Sequence, residues 1–179
     1  SVIMSGKKLE LGTLLWKYLL EKLNPEYEKQ QKEIFHKFQV KKEQWLKIYN
    51  NDYGIAIQKY VTDAELKDDD ITDNGWGIYT WNWIPGVIEV KKAKIKENEY
   101  GWVNWDTDGI VFKHCKLNKN EFGMYASAWA TVNPTATFNH CDITKNTVTD
   151  VEHDSNTLIF HKTKYDTYVN YGGGILIED

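Results

Sequence analysis

The residues whose types and spacing could do chemistry are carboxylates and tryptophans. Asp106 and Asp108 are two positions apart in Asp-Thr-Asp-Gly109. On an extended strand that spacing puts both carboxyls on one face at about 7 Å, within the roughly 5 to 9 Å that glycoside cleavage requires of an acid and its partner. Asp150, Glu152 and Asp154, with His153 among them, repeat the spacing and form a second acid-base candidate. The first run is also the composition of a tight turn, because Asp bonds to nearby backbone amides and Gly accepts unusual φ. The turn is the preferred reading, and the liganding pattern for calcium is incomplete.

Trp81, Trp83, Trp102, Trp105 and Trp129 form the other set. A flat indole with an N–H handle suits a sugar ring or a side chain of a partner protein. They are the candidate ligand-binding residues, weighed against the plainer possibility that several build the core.

Elements that would position these residues emerge from internal repetition. Ile110-Val-Phe-Lys-His-Cys-Lys-Leu-Asn-Lys-Asn120 is closely echoed by Ala136-Thr-Phe-Asn-His-Cys-Asp-Ile-Thr-Lys-Asn146. With Cys115 and Cys141 as reference, Asp69, Ala93 and Thr163 fall into register at steps of 22 to 26 residues. Two places on stand Ile71, Ile95, Leu117, Ile143 and Tyr165; three places back stand Leu66, Val90, Phe112, Phe138 and Phe160. Asn74, Asn98, Asn120 and Asn146 share a further column, and Gly77, Gly101 and Gly123 another. Such periods mark stacked architectures.

Composition sets the outer bounds. The chain has 179 residues, 41% of them hydrophobic, and a net charge of −4, which argues against a general nucleic-acid binder. No apolar run reaches the length needed to span a bilayer and no signal-peptide pattern opens the chain, so a cytoplasmic or phage-particle location is favoured. Met4 reads as a natural start. Leucine spacing predicts a helix over Leu9 to Leu23, Asn24-Pro25 starts a second to about Phe38, and a short third runs from Lys42 to Tyr49. Residues 1–50 are therefore expected to be a helical N-terminal cap, with a β-repeat domain over 51–179.

From about Tyr53 to Asp179 the pattern of alternating apolar residues, Ile, Asn, then an aromatic and Gly-Ile resembles the coils of right-handed parallel β-helix proteins of the pectate-lyase-like type. Phe138 to Asn146 and Asn170-Tyr-Gly-Gly-Gly-Ile-Leu-Ile177 are the closest pieces. The resemblance implies a mainly β fold, a parallel solenoid of about five coils, with the recurrent Asn at a sharp bend. Asn tolerates left-handed backbone and its amide can bond along a column, while Gly at the next corner removes the Cβ penalty. The pattern departs at Thr149 to Asn156 and at Tyr168. The competing fold is an α+β domain whose strands pair as antiparallel hairpins, supported by a weaker resemblance of Asp150-Val-Glu-His153 and Gly172-Gly173 to uncharacterised small bacterial domains.

In the stacked arrangement Cys115 lies beside Cys141, expected to be reduced and buried, and His114 beside His140. Two stacked surface histidines, even with His153 or His161, do not make a metal site, so no metal or cofactor is expected. The functional expectation is a non-catalytic binding or structural module, as in phage tails or surface proteins, meeting a glycan or protein through its aromatic side. A polysaccharide lyase or glycoside hydrolase is the first alternative and a small cytoplasmic protein-interaction domain the second. An open strand edge at the last coil would invite pairing with another chain, so an oligomer or a part of a longer protein is expected.

Overall fold

A computed structural model describes residues 2–4, 47–59, 61, 63–83 and 86–179. Three sheets run the length of the domain, and the chain visits them in rotation. Sheet A holds Tyr53–Lys59, Trp76–Asn82, Tyr100–Trp105, Phe122–Ser127, Thr149–His153 and Tyr168–Asn170, stacked in that order. Val2–Met4 closes its first edge in antiparallel pairing with Ile55 to Ile57. Sheet C holds Asp63–Lys67, Val87–Lys91, Ile110–Lys113, Thr135–Asn139, Thr157–His161 and Ile175–Glu178. Sheet B holds the short strands Lys47–Tyr49, Asp70–Thr72, Lys94–Lys96, Lys116–Asn118, Asp142–Ile143 and Lys164–Tyr165. Apart from Val2–Met4, every described pairing is parallel. The antiparallel alternative is thereby overturned: the junctions short enough for hairpins are corners between different sheets.

The predicted columns are the observed registers. Leu66, Val90, Phe112, Phe138 and Phe160 pair in succession, as do Ala64, Ile88, Ile110, Ala136 and Leu158. Ile48 extends the Ile71, Ile95 and Leu117 column by one strand at the N-terminal end. These residues fill the interior, with Phe112 and Phe138 stacked at 4.7 Å between ring centroids and 2° between planes. Like side chains stack because coils about 4.8 Å apart put equivalent residues in contact, and apolar equivalents bury one another's surface.

The short helix expected to end at Tyr49 is corrected over its last three residues: Lys47–Tyr49 is the first strand of sheet B, paired with Asp70–Thr72. Aromatic spacing alone does not separate a helical turn from a three-residue strand. The remaining helical expectations lie outside the described residues.

At the bend from sheet B to sheet A the asparagines form a continuous ladder. Asn51 donates its side-chain amide to Asn74 at 3.1 Å, Asn74 to Asn98 at 3.0 Å, Asn98 to Asn120 at 3.0 Å and Asn120 to Asn146 at 3.2 Å. The receiving oxygens also accept the main-chain N–H of Asn51, Asn74, Asn98 and Asn120. Each amide nitrogen of Asn74, Asn98, Asn120 and Asn146 also reaches the main-chain carbonyl of Ile48, Ile71, Ile95 or Leu117 respectively. Left-handed backbone falls one residue earlier than expected, at Asn50, Asp73, Glu97, Lys119 and Lys145, with φ of 57, 55, 58, 56 and 61°. Asparagine is selected here for its bonding capacity and not for its backbone tolerance.

The glycine column also has a different cause from the one expected, since Gly54, Gly77, Gly101 and Gly123 are absent from the positive-φ residues. A Cβ on Gly101 would stand 2.4 Å from the Gly123 carbonyl oxygen and 3.0 Å from the Asn120 amide, and one on Gly123 would stand 2.4 Å from the Asp150 oxygen. Glycine lets each coil sit close on the next beside the ladder.

At the C-terminal end Ile175–Glu178 is the last strand of sheet C, with no described neighbour on its outer side, and Ile175 and Ile177 are exposed. Asn98→Ala should destabilise the fold by about 3 kcal/mol, because a buried donor and acceptor in the neighbouring coils lose their partner together. Chemical denaturation checks this against exposed Lys94→Ala, which should change stability by less than about 0.5 kcal/mol.

Candidate functional site: the aromatic face of sheet A

Outward residues of sheet A fall into columns along the solenoid. Tyr53, Trp76, Tyr100 and Phe122 are aligned in the first, each immediately before a glycine. Ala56, Tyr79, Val103, Tyr125, Glu152 and Val169 form the second. Gln58 and Trp81 begin a third, in which Trp105 pairs with Ser127. Trp76 and Tyr79 both pack on the outer cluster although they are three positions apart, while Ile78 between them belongs to the interior. The in-out alternation slips by one at the glycine.

The rings touch as a mosaic. Trp76 lies 5.2 Å from Tyr53, 5.2 Å from Tyr79 and 6.2 Å from Trp105. Trp81 meets Trp83 edge-on at 5.2 Å and Trp105 at 6.5 Å, and Trp129 leans over Trp105 at 5.1 Å. Trp83 is 48% and Trp129 71% exposed, so these two indoles project from the rim, whereas Trp76, Trp81 and Trp105 are half-buried. Trp105 Nε1 is buried without an acceptor. Burial, with Tyr53 close by, pushes the Tyr79 hydroxyl up to about 12.

Four of the five expected tryptophans, Trp81, Trp83, Trp105 and Trp129, are thus brought together. Trp102 is not among them. It points inward with no exposed surface, lies 5.1 Å from Phe112 and 5.8 Å from Phe138, and donates Nε1 to Thr80 Oγ1 at 3.0 Å. Its register with Ile78 and Met124, both interior, decides this. Tyr53, Trp76, Tyr79, Tyr100, Phe122 and Tyr125 were not singled out from sequence, although the aromatic-Gly pairs marked four of them.

The acidic candidates divide by role. Asp106 is buried, and its Oδ1 accepts the backbone N–H groups of Trp129 at 2.7 Å, Ala130 at 2.9 Å and Thr131 at 3.1 Å. Asp108 Oδ1 accepts the N–H of Thr135 at 2.7 Å. Both carboxylates hold backbone amides, as a turn aspartate does, but these amides lie 23 to 27 residues away in the next coil: the two residues anchor the ends of the loop carrying Trp129, and Asp106 in particular has no surface to offer a substrate. Asp150 is buried too. Its Oδ1 receives the last ladder amide, from Asn146, at 2.7 Å, and its Oδ2 accepts the N–H of Asp166 and Thr167 at 2.9 and 3.0 Å. The departure at Thr149 to Asn156 is therefore where a carboxylate ends the ladder by facing donors on both sides.

Glu152 and Asp154 are placed differently. Glu152 takes its place in the outward column after Tyr125 but is itself buried, 6% exposed, beside Tyr171, whose hydroxyl is raised by burial and then by this carboxylate. Asp154 is half-buried, accepting from Ser127 Oγ at 3.0 Å and Tyr125 Oη at 3.3 Å. His153, between them, faces the interior. Its Nδ1 lies 3.2 Å from the carbonyl of Asn156, which can only accept, so Nδ1 carries the proton and Nε2 accepts from Tyr168 Oη at 2.7 Å. Burial holds the imidazole below its ordinary pKa.

His114 and His140 stack with centroids 5.1 Å apart, both on left-handed corners between sheets C and B. Cys115 and Cys141 are free and buried, as expected, with their thiols directed to the carbonyls of Val90 at 3.2 Å and Phe112 at 3.5 Å. The adjacent Cys115, together with burial, pushes the Cys141 thiol up.

The family model for the right-handed beta helix region matches residues 34–179, and the chain belongs to that family. No curated protein and no solved structure matches it. Among the described residues no helix is long and apolar enough to cross a membrane.

Two outcomes follow from the carboxylate and imidazole geometry. Asp150→Asn should destabilise the protein by about 2 kcal/mol, because any orientation of the amide sets an N–H against a donor it now receives; denaturant midpoints at pH 7 measure it. Because neutral His153 is favoured in the folded state, the unfolded chain binds more protons below its ordinary pKa of about 6.5. The His153 contribution should be complete above that pH and decline as the pH falls below it. Subtracting the pH dependence of stability of His153→Gln from that of the parent isolates it.

Proposed function

We propose that this protein is a glycan-binding module and that sheet A is its binding face. The observation that carries the reading is the unbroken aromatic mosaic from Tyr53 to Trp129, half-buried and ordered by strand register, with Trp83 and Trp129 projecting at its rim. Indole faces bury apolar sugar C–H surface, while indole N–H and tyrosine O–H groups bond to hydroxyls. The strands that carry the rings are fixed in the solenoid, which keeps the ordering cost of binding low.

With Asp106, Asp108 and Asp150 engaged by amides and Glu152 buried, any cleavage of the bound glycan would fall to Asp154. Release of reducing or unsaturated ends from screened polysaccharides would replace the binding reading with an enzymatic one.

A glycan array followed by titration of tryptophan fluorescence tests the proposal. Trp81→Ala and Trp129→Ala should each weaken binding by about 2 kcal/mol with the fold retained, whereas Trp102→Ala should lower stability by about 3 to 5 kcal/mol. Unchanged affinity in the first two variants would sink the assignment of this face.

A further inference from the structure

We propose that the glycan recognised by this face is cationic, a polymer carrying free amino groups. The inference rests on the glycan-binding reading above and adds the charge of the ligand. The outward columns of sheet A contain no lysine with a described side chain. Lysines instead stack on the other two sheets, as Lys67, Lys91 and Lys113 on sheet C and Lys94 and Lys116 on sheet B. The chain contains no arginine at all, the residue whose planar fork matches carboxylate, sulfate and phosphate groups. A face meant for a polyuronate or a sulfated glycan would need such donors.

Negative charge, by contrast, is built into one end of the mosaic. Glu152 continues the Tyr79, Val103 and Tyr125 column, and Asp154 is fixed in orientation by Ser127 Oγ and Tyr125 Oη. Both oxygens of Asp154 accept from Ser127, at 3.0 and 3.2 Å, and no cationic partner is recorded for either carboxylate among the described ion pairs. Glu99 and Glu121 add to the field around Tyr100, whose hydroxyl is raised by burial and then by Glu152, Glu99 and Glu121. Aromatic walls, whose dielectric constant is far below that of water, strengthen the attraction of these carboxylates for an ammonium group over what bulk water would allow. A sugar ring seated on Trp105 and Trp129 would bring an amino substituent toward Asp154, with Glu152 behind it.

The test titrates the intact protein with three hexasaccharides of equal length: an oligoglucosamine, the corresponding uncharged oligoglucose and an oligogalacturonate, with oligolysine as a peptide control. The expected result is that the oligoglucosamine binds about ten-fold more tightly than the uncharged oligomer, a gain in the range of one partly desolvated charge pair. That advantage should shrink in Asp154→Asn and in Glu152→Gln and with added salt, and the oligogalacturonate should not bind. Circular dichroism confirms that each variant is folded, and two variants guard against the loss of either one. Equal or tighter binding of the uncharged or anionic oligomer, or a preference that survives both substitutions, would overturn the charge assignment while leaving the glycan reading intact. Binding of none of the three, or of oligolysine alone, would overturn both.

Discussion

The structure depends on one constraint, the superposition of each coil on the last at the spacing of adjacent parallel strands. Equivalent residues are then in contact, so each column must be tolerable as a stack of near-identical side chains. Phenylalanine, isoleucine and valine satisfy this by burial. Asparagine satisfies it differently: its amide donates toward one neighbour and its carbonyl accepts from the other, so the column is self-complementary however many coils it spans. Glycine beside it removes the one atom that would hold the coils apart.

A self-complementary column needs an end, and Asp150 supplies it. A carboxylate has acceptors only, so it receives Asn146 on one side and the N–H groups of Asp166 and Thr167 on the other. The last coil is thereby re-registered, with Tyr168 opposite Val151, and it closes onto His153 through the Tyr168 hydroxyl. The irregular stretch from Thr149 onward is a terminus built of polar contacts. Its carboxylates are divided by that role: Asp150 faces the ladder, while Glu152 and Asp154 face outward at the end of the aromatic surface.

On the outer side of sheet A the same stacking has another result. Large rings in adjacent coils cannot all lie flat at that spacing with unequal partners beside them. They tilt or meet edge to face, with interplanar angles from 36° for Tyr53 and Tyr79 to 87° for Trp81 and Trp83. Tyr100 and Phe122, adjacent in the first column, are the stacked exception at 8°. The Trp129 end of the surface is positioned by Asp106, so a residue that resembles an acid catalyst in sequence supports the aromatic face from below.

Sequence alone determined the columns, and through them favoured the parallel solenoid, the Asn ladder and a buried Cys115 and Cys141 stack, because repetition at a fixed period records which residues must share an environment. It also offered Trp81, Trp83, Trp102, Trp105 and Trp129 as one aromatic side, without fixing which face of its strand each ring occupies. Tertiary structure decided what a period cannot carry. The strand phase slips at each glycine, so only the assembled sheet shows Trp102 to be interior and Trp76 exterior. The left-handed position lies on Asn50, Asp73, Glu97, Lys119 and Lys145, of which the glutamate and the lysines announce no such backbone, because the asparagine beside them is fixed by its bonds to the next coil. The fate of each aspartate was equally hidden: a carboxylate's role depends on which amides the fold brings to it, and those on Asp106 and on Asp150 Oδ2 come from 16 to 25 residues away.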